Sequence, residues 1–439
     1  MPCGWTRMTE AFDIAVIGAG PAGLAAATAA AGAGRRVVLI DSQPTAGGQV
    51  WRHDVAHGYP APARRSIQGA MSGHGVTWLP ETQVVAAESG HLLVQDPRRG
   101  YRLPYRSLVI ASGARELLLP FPGWTLPGVV GAGGLQALAK QGWALRGRRV
   151  LIAGSGPLLL AAAHTARRHG AIVLGVHEQA SAATIHHFAR GLWRWPGKLA
   201  QAASLRLSLA GIGYYPGSVV TAALGDDALS AVEIEGPRGH ERLDCDVLAV
   251  GFGLVPDLTL ARHLGCATRT DHVHAQVDVN AQQRTSRDDT FAAGESCGIG
   301  GRDCARLEGT IAGLAAAGVP IPAALLHRRD HARAFTRHLD RHFILSPRVH
   351  DLARDDTVVC RCEDVPLGAI RPHANGRSAK LATRCGMGAC QGRICGAALT
   401  ELGHGPSTDA RPPVFPTRLS TLGEPDRLPS LPVSRGIST

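Results

Sequence analysis

The run Asp13-Ile-Ala-Val-Ile-Gly18-Ala-Gly20-Pro-Ala-Gly23 constrains this chain more than any other stretch, because few supersecondary units accommodate it. An apolar strand enters a turn in which Gly18 permits the tight bend and Gly20 lets the backbone approach a pyrophosphate. Gly23 then lets helix and strand pack closely. An alanine-rich helix is predicted over Leu24 to Gly34, and a second strand over Arg36 to Asp41. The helix N-terminus offers unpaired N–H groups and a positive dipole end to phosphates. Asp41 lies 23 residues past Gly18, at the strand tip, where a carboxylate accepts hydrogen bonds from ribose hydroxyls. A lone G-x-G-x-x-G is a weak signal; a complete strand–helix–strand unit closed by an acid reads as a nucleotide site.

Two later segments favour FAD over NAD at this turn. Leu108-Val-Ile-Ala-Ser112-Gly113 reads as a buried strand ending in small residues that let the chain pass close to a cofactor. Asp289-Thr-Phe-Ala-Ala-Gly294-Glu295 is another strand ending in glycine and acid, followed by a predicted helix over Leu307 to Ala317. The acid suits ribityl hydroxyls, and the helix end suits the pyrophosphate.

A second unit begins at Arg149-Val-Leu-Ile-Ala-Gly154-Ser-Gly156, with a helix predicted over Leu160 to Gly170 and a strand over Ala171 to His177, tipped by Glu178. Leu159 stands where the third glycine belongs, and a leucine there is expected to push the helix from the strand or rotate it, altering the pocket under the pyrophosphate. Glu178 suits a ribose diol and opposes a 2′-phosphate. Three readings stay open: another adenine nucleotide such as ATP, an empty structural domain, or NADH. No C-x-x-C follows Asp41 or Pro127, so the cysteine pair that disulfide reduction needs is missing.

Five of the ten cysteines fall between Cys360 and Cys395. Cys360-x-Cys362 and Cys390-x4-Cys395 are separated by 27 residues, a pattern that crowds thiolates onto one ion or cluster. A 2Fe–2S cluster is the favoured reading, with zinc and no metal as the alternatives; structural zinc knuckles use C-x2–4-C pairs. Cys385 is a fifth thiol able to replace Cys390. Gly386, Gly388 and Gly392 free backbone N–H groups for the sulfurs. Flavin takes electrons in pairs and such a cluster passes them singly, so the two together suit an electron relay.

With 45% apolar and 18% charged residues the chain reads as a soluble α/β protein, and no run of 18 apolar residues escapes a charge or glycine break. The start, Met1 to Glu10, has no apolar signal core, and Met8 is an alternative start. Scattered thiols point to a reducing cytoplasm, with the inner face of the cell membrane as an alternative docking place. The net charge of +11 is dispersed and aromatics are only 5%, which argues against nucleic acid. Arg328 to His342 is expected to form a surface helix with solvated histidines, His53 and His57 to be lone histidines, and the proline-rich stretch after Gly403 to be disordered or an arm on a partner.

These motifs resemble the FAD-containing subunits of hydrogen cyanide synthase, opine oxidase and D-hydroxyproline dehydrogenase. The marks are Gly47-Gly48-Gln49 with Trp51-Arg52, Gly113-Ala-Arg115-Glu116, Phe121-Pro-Gly-Trp-Thr-Leu-Pro-Gly128, Gly251-Phe-Gly-Leu-Val-Pro256, Gly298-Ile-Gly-Gly301 and Gly386-Met-Gly-Ala-Cys390-Gln-Gly-Arg-Ile-Cys395. The last is also similar to the cysteine module of anaerobic glycerol-3-phosphate dehydrogenase, which implies Cys390 and Cys395 over Cys385. The resemblance implies an α/β fold with two dinucleotide-binding domains, glutathione-reductase-like, in which a second Rossmann-like domain splits the FAD domain. It further implies an electron-relaying subunit of an amino acid, imino acid or opine dehydrogenase, with Gly48 and Gln49 near the isoalloxazine. A separate FAD subunit like D-amino acid oxidase or sarcosine oxidase would oxidise the substrate, and a small ferredoxin-like subunit would complete the complex. The departure at Leu159 is one this family shares. A stand-alone NADH-dependent ferredoxin-type reductase and a non-catalytic scaffold are the rivals. The expected division is 10–125 and 266–325 for the FAD domain, 126–265 for the second dinucleotide domain, 326–354 for a linker helix, 355–403 for the 2Fe–2S module and 404–439 for the tail. No side chain reads as a catalytic base.

Overall fold

The computed structural model describes residues 11–72, 75–405, 412–423 and 425. Its largest sheet grows outward from the first glycine-turn strand, Phe12–Ile17. That strand is flanked in parallel by Val37–Ile40 and by Gly100–Ile110. Val76–Leu79 extends one edge, and an antiparallel pair, Gln83–Glu88 and His91–Gln95, continues the other. Thr290–Ala292 pairs in parallel with Leu108–Ile110, so the chain returns to this sheet some 180 residues after leaving it. Helix Pro21–Gly32 covers one face and packs on helix Gly301–Ala316, with Gly309 and Gly313 admitting the backbone of Ala22 and Ala26.

The intervening chain builds a second parallel sheet in the order Tyr214–Pro216, Ile172–Glu178, Arg149–Gly154, Val247–Gly251 and Val129–Gly131. An antiparallel three-stranded sheet, Val219–Leu224, Ala231–Gly236 and Gly239–Asp244, lies beside it. Each central strand is apolar on both faces, as parallel strands covered by helices must be.

Helix positions differ from the sequence expectations in instructive ways. The first helix begins at Pro21, because proline is well placed at the first helical position. The second starts at Leu158, and Leu159 is fully buried. Gly251, with no side chain, makes room for it: an added Cβ there would sit 3.1 Å from Leu159 Cδ2. The leucine is thus accommodated beside a glycine on the neighbouring strand. The histidine-bearing helix runs from Ala323 to His342, and its histidines are not simply solvated. His338 stacks on Phe188 and Trp195 at ring distances of 5.1 and 5.4 Å.

The cysteine module follows: hairpin Val358–Cys360 with Val365–Pro366, then helices Gly376–Thr383 and Cys395–Glu401 around a small core of its own. Of the tail, the described part lies on this chain's own first sheet. Val414 N–H donates to Val85 O, and the Arg418 guanidinium donates to the carbonyls of Asp96 and Pro97. The rest of the tail, like Met1 to Glu10, lies outside the described residues.

Candidate functional site

At the first turn the three glycines are separated by function. Gly18 has φ +99°, and a Cβ there would lie 2.3 Å from Ala111 O; at Gly23 it would lie 1.7 Å from Gly18 O. Both are required by backbone packing. Gly20 caps the helix and faces only Gly48, whose Cα stands 3.9 Å from its notional Cβ. The Gly47-Gly48 turn, both residues at positive φ, therefore seats against the middle glycine. Asp41 accepts from Ala19 N–H at 2.6 Å and Gln43 N–H at 2.9 Å. Burial raises its pKa, opposed by those amides and by Arg52. Arg52 is held by Gln49 Oε1 at 2.8 Å and Gln43 Oε1 at 3.2 Å, so Gln49 is tied back to the turn.

Ser112 Oγ donates to Asp257 O at 2.9 Å, which fixes the end of the central strand. Gly113 has φ +76°, and no described atom lies within 4 Å of an added Cβ. Gly294, φ +78°, packs on Ala22 in the first turn of helix Pro21–Gly32, and Glu295 is the next residue. Burial, then the neighbouring Glu308, raises the Glu295 pKa. Glu308 itself accepts from Gly294 N–H at 3.0 Å and from Arg333 Nε at 2.8 Å. The structure thus gathers Gly18, Gly20, Gly23, Asp41, Gly48, Ser112, Gly113, Gly294 and Glu295 around the strand ends of one sheet.

The second turn is differently furnished. Gly154 (φ +137°), like Gly18, has positive φ, but Gly156 (φ +90°) departs from its counterpart Gly20 (φ −74°). Glu178, expected at a ribose, is fully buried and accepts from Gly156 N–H at 2.7 Å and Ala180 N–H at 3.0 Å. Burial pushes its pKa up to about 7. The residues after the long helix lie across this turn. Phe343 ring atoms stand 3.7 Å from the notional Cβ of Gly156, and Phe343 O accepts from Ser155 Oγ at 3.3 Å. Gln179 bridges Ile344 O and Ser346 N–H at 3.0 and 3.1 Å. No local spacing announces this strap, since its partners are 165 to 188 residues apart.

In the module, the Cys360, Cys385 and Cys395 sulfurs lie within 4.8 Å of one another. A cavity of about 100 Å³ is lined by Cys360, Cys362, Cys390 and Cys395 together with Leu118, Arg361 and Ile394. Gly386 N–H donates to Cys360 Sγ at 3.5 Å. Burial acts to raise the Cys390 pKa, but the amides of Ile394, Gly392 and Arg393 and the Cys362 thiol outweigh it and leave it lowered. Bonding to Cys385, then burial, raises that of Cys395. The donor set is all sulfur, which suits iron–sulfur chemistry, and backbone amides already point at it.

Two contacts that spacing did not reveal fasten the module to the flavin-fold body. Arg115 Nη1 donates to Arg393 O at 2.7 Å, and Trp124 Nε1 donates to Val358 O at 2.6 Å. Arg115 and Leu118 follow Gly113 directly. From Gly113 to the cavity wall at Leu118 is five residues, at most about 18 Å of extended chain.

The chain matches the family described as pyridine nucleotide-disulphide oxidoreductase over residues 12–314. An opine oxidase subunit of Rhizobium meliloti (strain 1021) is 33% identical, the match covering 94% of this chain and 98% of the relative. Hydrogen cyanide synthase subunit HcnB of Pseudomonas aeruginosa is also 33% identical, covering 87% of this chain and 90% of the relative. Among solved structures, L-proline dehydrogenase from P. horikoshii shares the fold with a TM-score of 0.67 and 19% identity, over 94% of this chain and 80% of that one.

Proposed function

This chain belongs to the pyridine nucleotide-disulphide oxidoreductase family, as an FAD-dependent oxidoreductase in the group that includes subunits of opine oxidase and hydrogen cyanide synthase, and from that premise we propose that it is the electron-relaying subunit of a heteromeric dehydrogenase. The substrate of the assembly is an amino acid, an imino acid such as D-hydroxyproline, or an opine. The first turn holds FAD, with Gly18, Gly20, Gly23 and Asp41 at its adenosine and phosphates, Ser112, Gly113, Gly294 and Glu295 along its length, and Gly48 and Gln49 near the ring. Cys360, Cys362, Cys390 and Cys395 hold a 2Fe–2S cluster. When bound, the flavin supplies two-electron chemistry and the cluster one-electron chemistry.

The observation that carries this reading is the thiol-lined cavity whose wall, Leu118, lies on the same short segment as Ser112 and Gly113. Arg115 and Trp124 hold the two parts in register, so electron transfer needs no excursion of the module. The second turn is read as not supplying electrons from NADH, because Phe343 lies over Gly156 and Glu178 is fully buried. Electrons arrive from a substrate-oxidising flavoprotein partner, and a ferredoxin-like subunit completes the complex. The relatives are themselves named as subunits, which supports partners of this kind. Among the described residues no helix is long and apolar enough to cross a membrane.

The test is spectroscopy of the anaerobically purified complex. Flavin absorbance, a dithionite-induced 2Fe–2S EPR signal lost in Cys360→Ser, and a second flavoprotein at one-to-one ratio are expected. Rapid bleaching of the flavin by NADH, or an iron-free zinc-loaded module, would overturn the reading.

A further inference from the structure

Outside these sites, Asp54, His57 and His169 bring one carboxylate oxygen and two imidazole nitrogens within 4.8 Å of each other. Asp54 Oδ2 lies 3.2 Å from His57 Nδ1 and 3.1 Å from His169 Nε2. A tetrahedral zinc-class ion with bonds of about 2.0–2.1 Å has ligand-to-ligand edges of about 3.3 Å. The other carboxylate oxygen, Oδ1, is already fixed by Ala56 N–H and His57 N–H at 3.0 and 3.2 Å. Oδ2 is therefore presented to the two imidazoles by its own backbone, as outer-shell bonds orient a metal ligand. Asp54 is buried, while the His57 side chain is 30% exposed and gives solvent an approach.

The three residues come from different units. Asp54 and His57 belong to the loop after Gly48, Gln49 and Arg52; His169 caps helix Leu158–Arg168 on the second sheet. We propose that this trio is a binding site for one divalent transition ion of the zinc class, which staples the loop bearing Gly48 and Gln49 to the second sheet. One carboxylate, two neutral imidazoles and water complete the coordination. Lys140, Arg52 and Arg168 are the cations nearby, and Val55 N–H is bonded to Lys140 O at 2.9 Å. Positive charge nearby opposes a bound dication, so the site is expected to bind more weakly than a thiolate site.

The experiment is a titration of chelator-treated full-length protein, cysteine module loaded, with Zn²⁺ against a chromophoric competitor, and with Co²⁺ followed by visible absorption. One equivalent is expected, with cobalt ligand-field bands and no thiolate charge-transfer band. Affinity should fall about 100-fold or more in His169→Ala, beyond the roughly 10–100-fold of outer-shell losses. His57→Ala, at a partly exposed position, should show the same loss if His169→Ala folds poorly. Binding unchanged in both histidine variants, cobalt appearing only with a thiolate band, or no equivalent bound at all would overturn the proposal and leave a hydrogen-bonded clasp.

Discussion

The two glycine turns differ first in backbone, Gly20 having φ −74° where its counterpart Gly156 has φ +90°, and then in the neighbours that stand before them. Gly20 meets a single Cα, that of Gly48, whereas Gly156 faces the ring of Phe343 and a strap bonded through Ser155 and Gln179. The acids diverge in step. Both accept from two backbone amides, but Asp41 is half-buried with Arg52 beside it, whereas Glu178 is fully buried beside Tyr214. A nucleotide turn is defined less by its glycines than by what the remainder of the chain places over them.

Substitutions can break or sharpen this contrast, and the largest effect belongs to the packing glycine. Gly23→Ala puts a Cβ 1.7 Å from Gly18 O, a backbone atom that cannot yield locally. Loss of flavin absorbance and destabilisation of about 3 kcal/mol or more are expected in a denaturant titration. A flavin-replete, stable variant would show that the first turn is not the cofactor's seat.

Glu178 gives the next effect. Its folded pKa is raised to about 7 from an ordinary 4.5, so between those values the folded chain binds more protons than the unfolded one. Its contribution to stability is therefore greatest in acid and declines as pH rises from 4.5 to 7, by roughly 3 kcal/mol in all. Glu178→Gln should flatten that part of the profile, measured as denaturant midpoint against pH. An unchanged slope would mean that the acid is hydrated and its cleft open.

Removing the strap's ring in Phe343→Ala should cost about 1–3 kcal/mol, the side chain being half-buried, while leaving flavin content intact. A gain of nucleotide binding in a fluorescence titration would mark the second turn as a competent site kept shut. The smallest effect is expected at Gly113→Ala. No described atom meets the added methyl, so only the positive φ matters, at about 1 kcal/mol. Perturbation of the flavin spectrum without loss of fold would place the cofactor against this residue.

The strand–turn–helix units and the crowding of thiols after Cys360 were legible because each rests on neighbours in sequence or on a period, whereas the split sheet was implied only by the family resemblance. The same local reading could not show that the space for Leu159 comes from Gly251 on another strand. It also missed the pairing of His57 and Asp54 with His169, and the tail's attachment to its own sheet. Cys385 shows the limit within the module: spacing offers five thiols, and only folding puts Cys385 with Cys360 and Cys395 while leaving it off the cavity lined by the other four.

By itself, then, the sequence determined that this chain must form two glycine-turn units and one cysteine cage, since backbone sterics and thiol chemistry act over a few residues. What lies over each turn, and which surface the cage rests on, was decided by tertiary contacts. Phe343 over Gly156 and Arg115 beneath Arg393 join positions separated by almost two hundred residues or more. Such juxtapositions follow from burial of the whole apolar surface, and no local pattern encodes them.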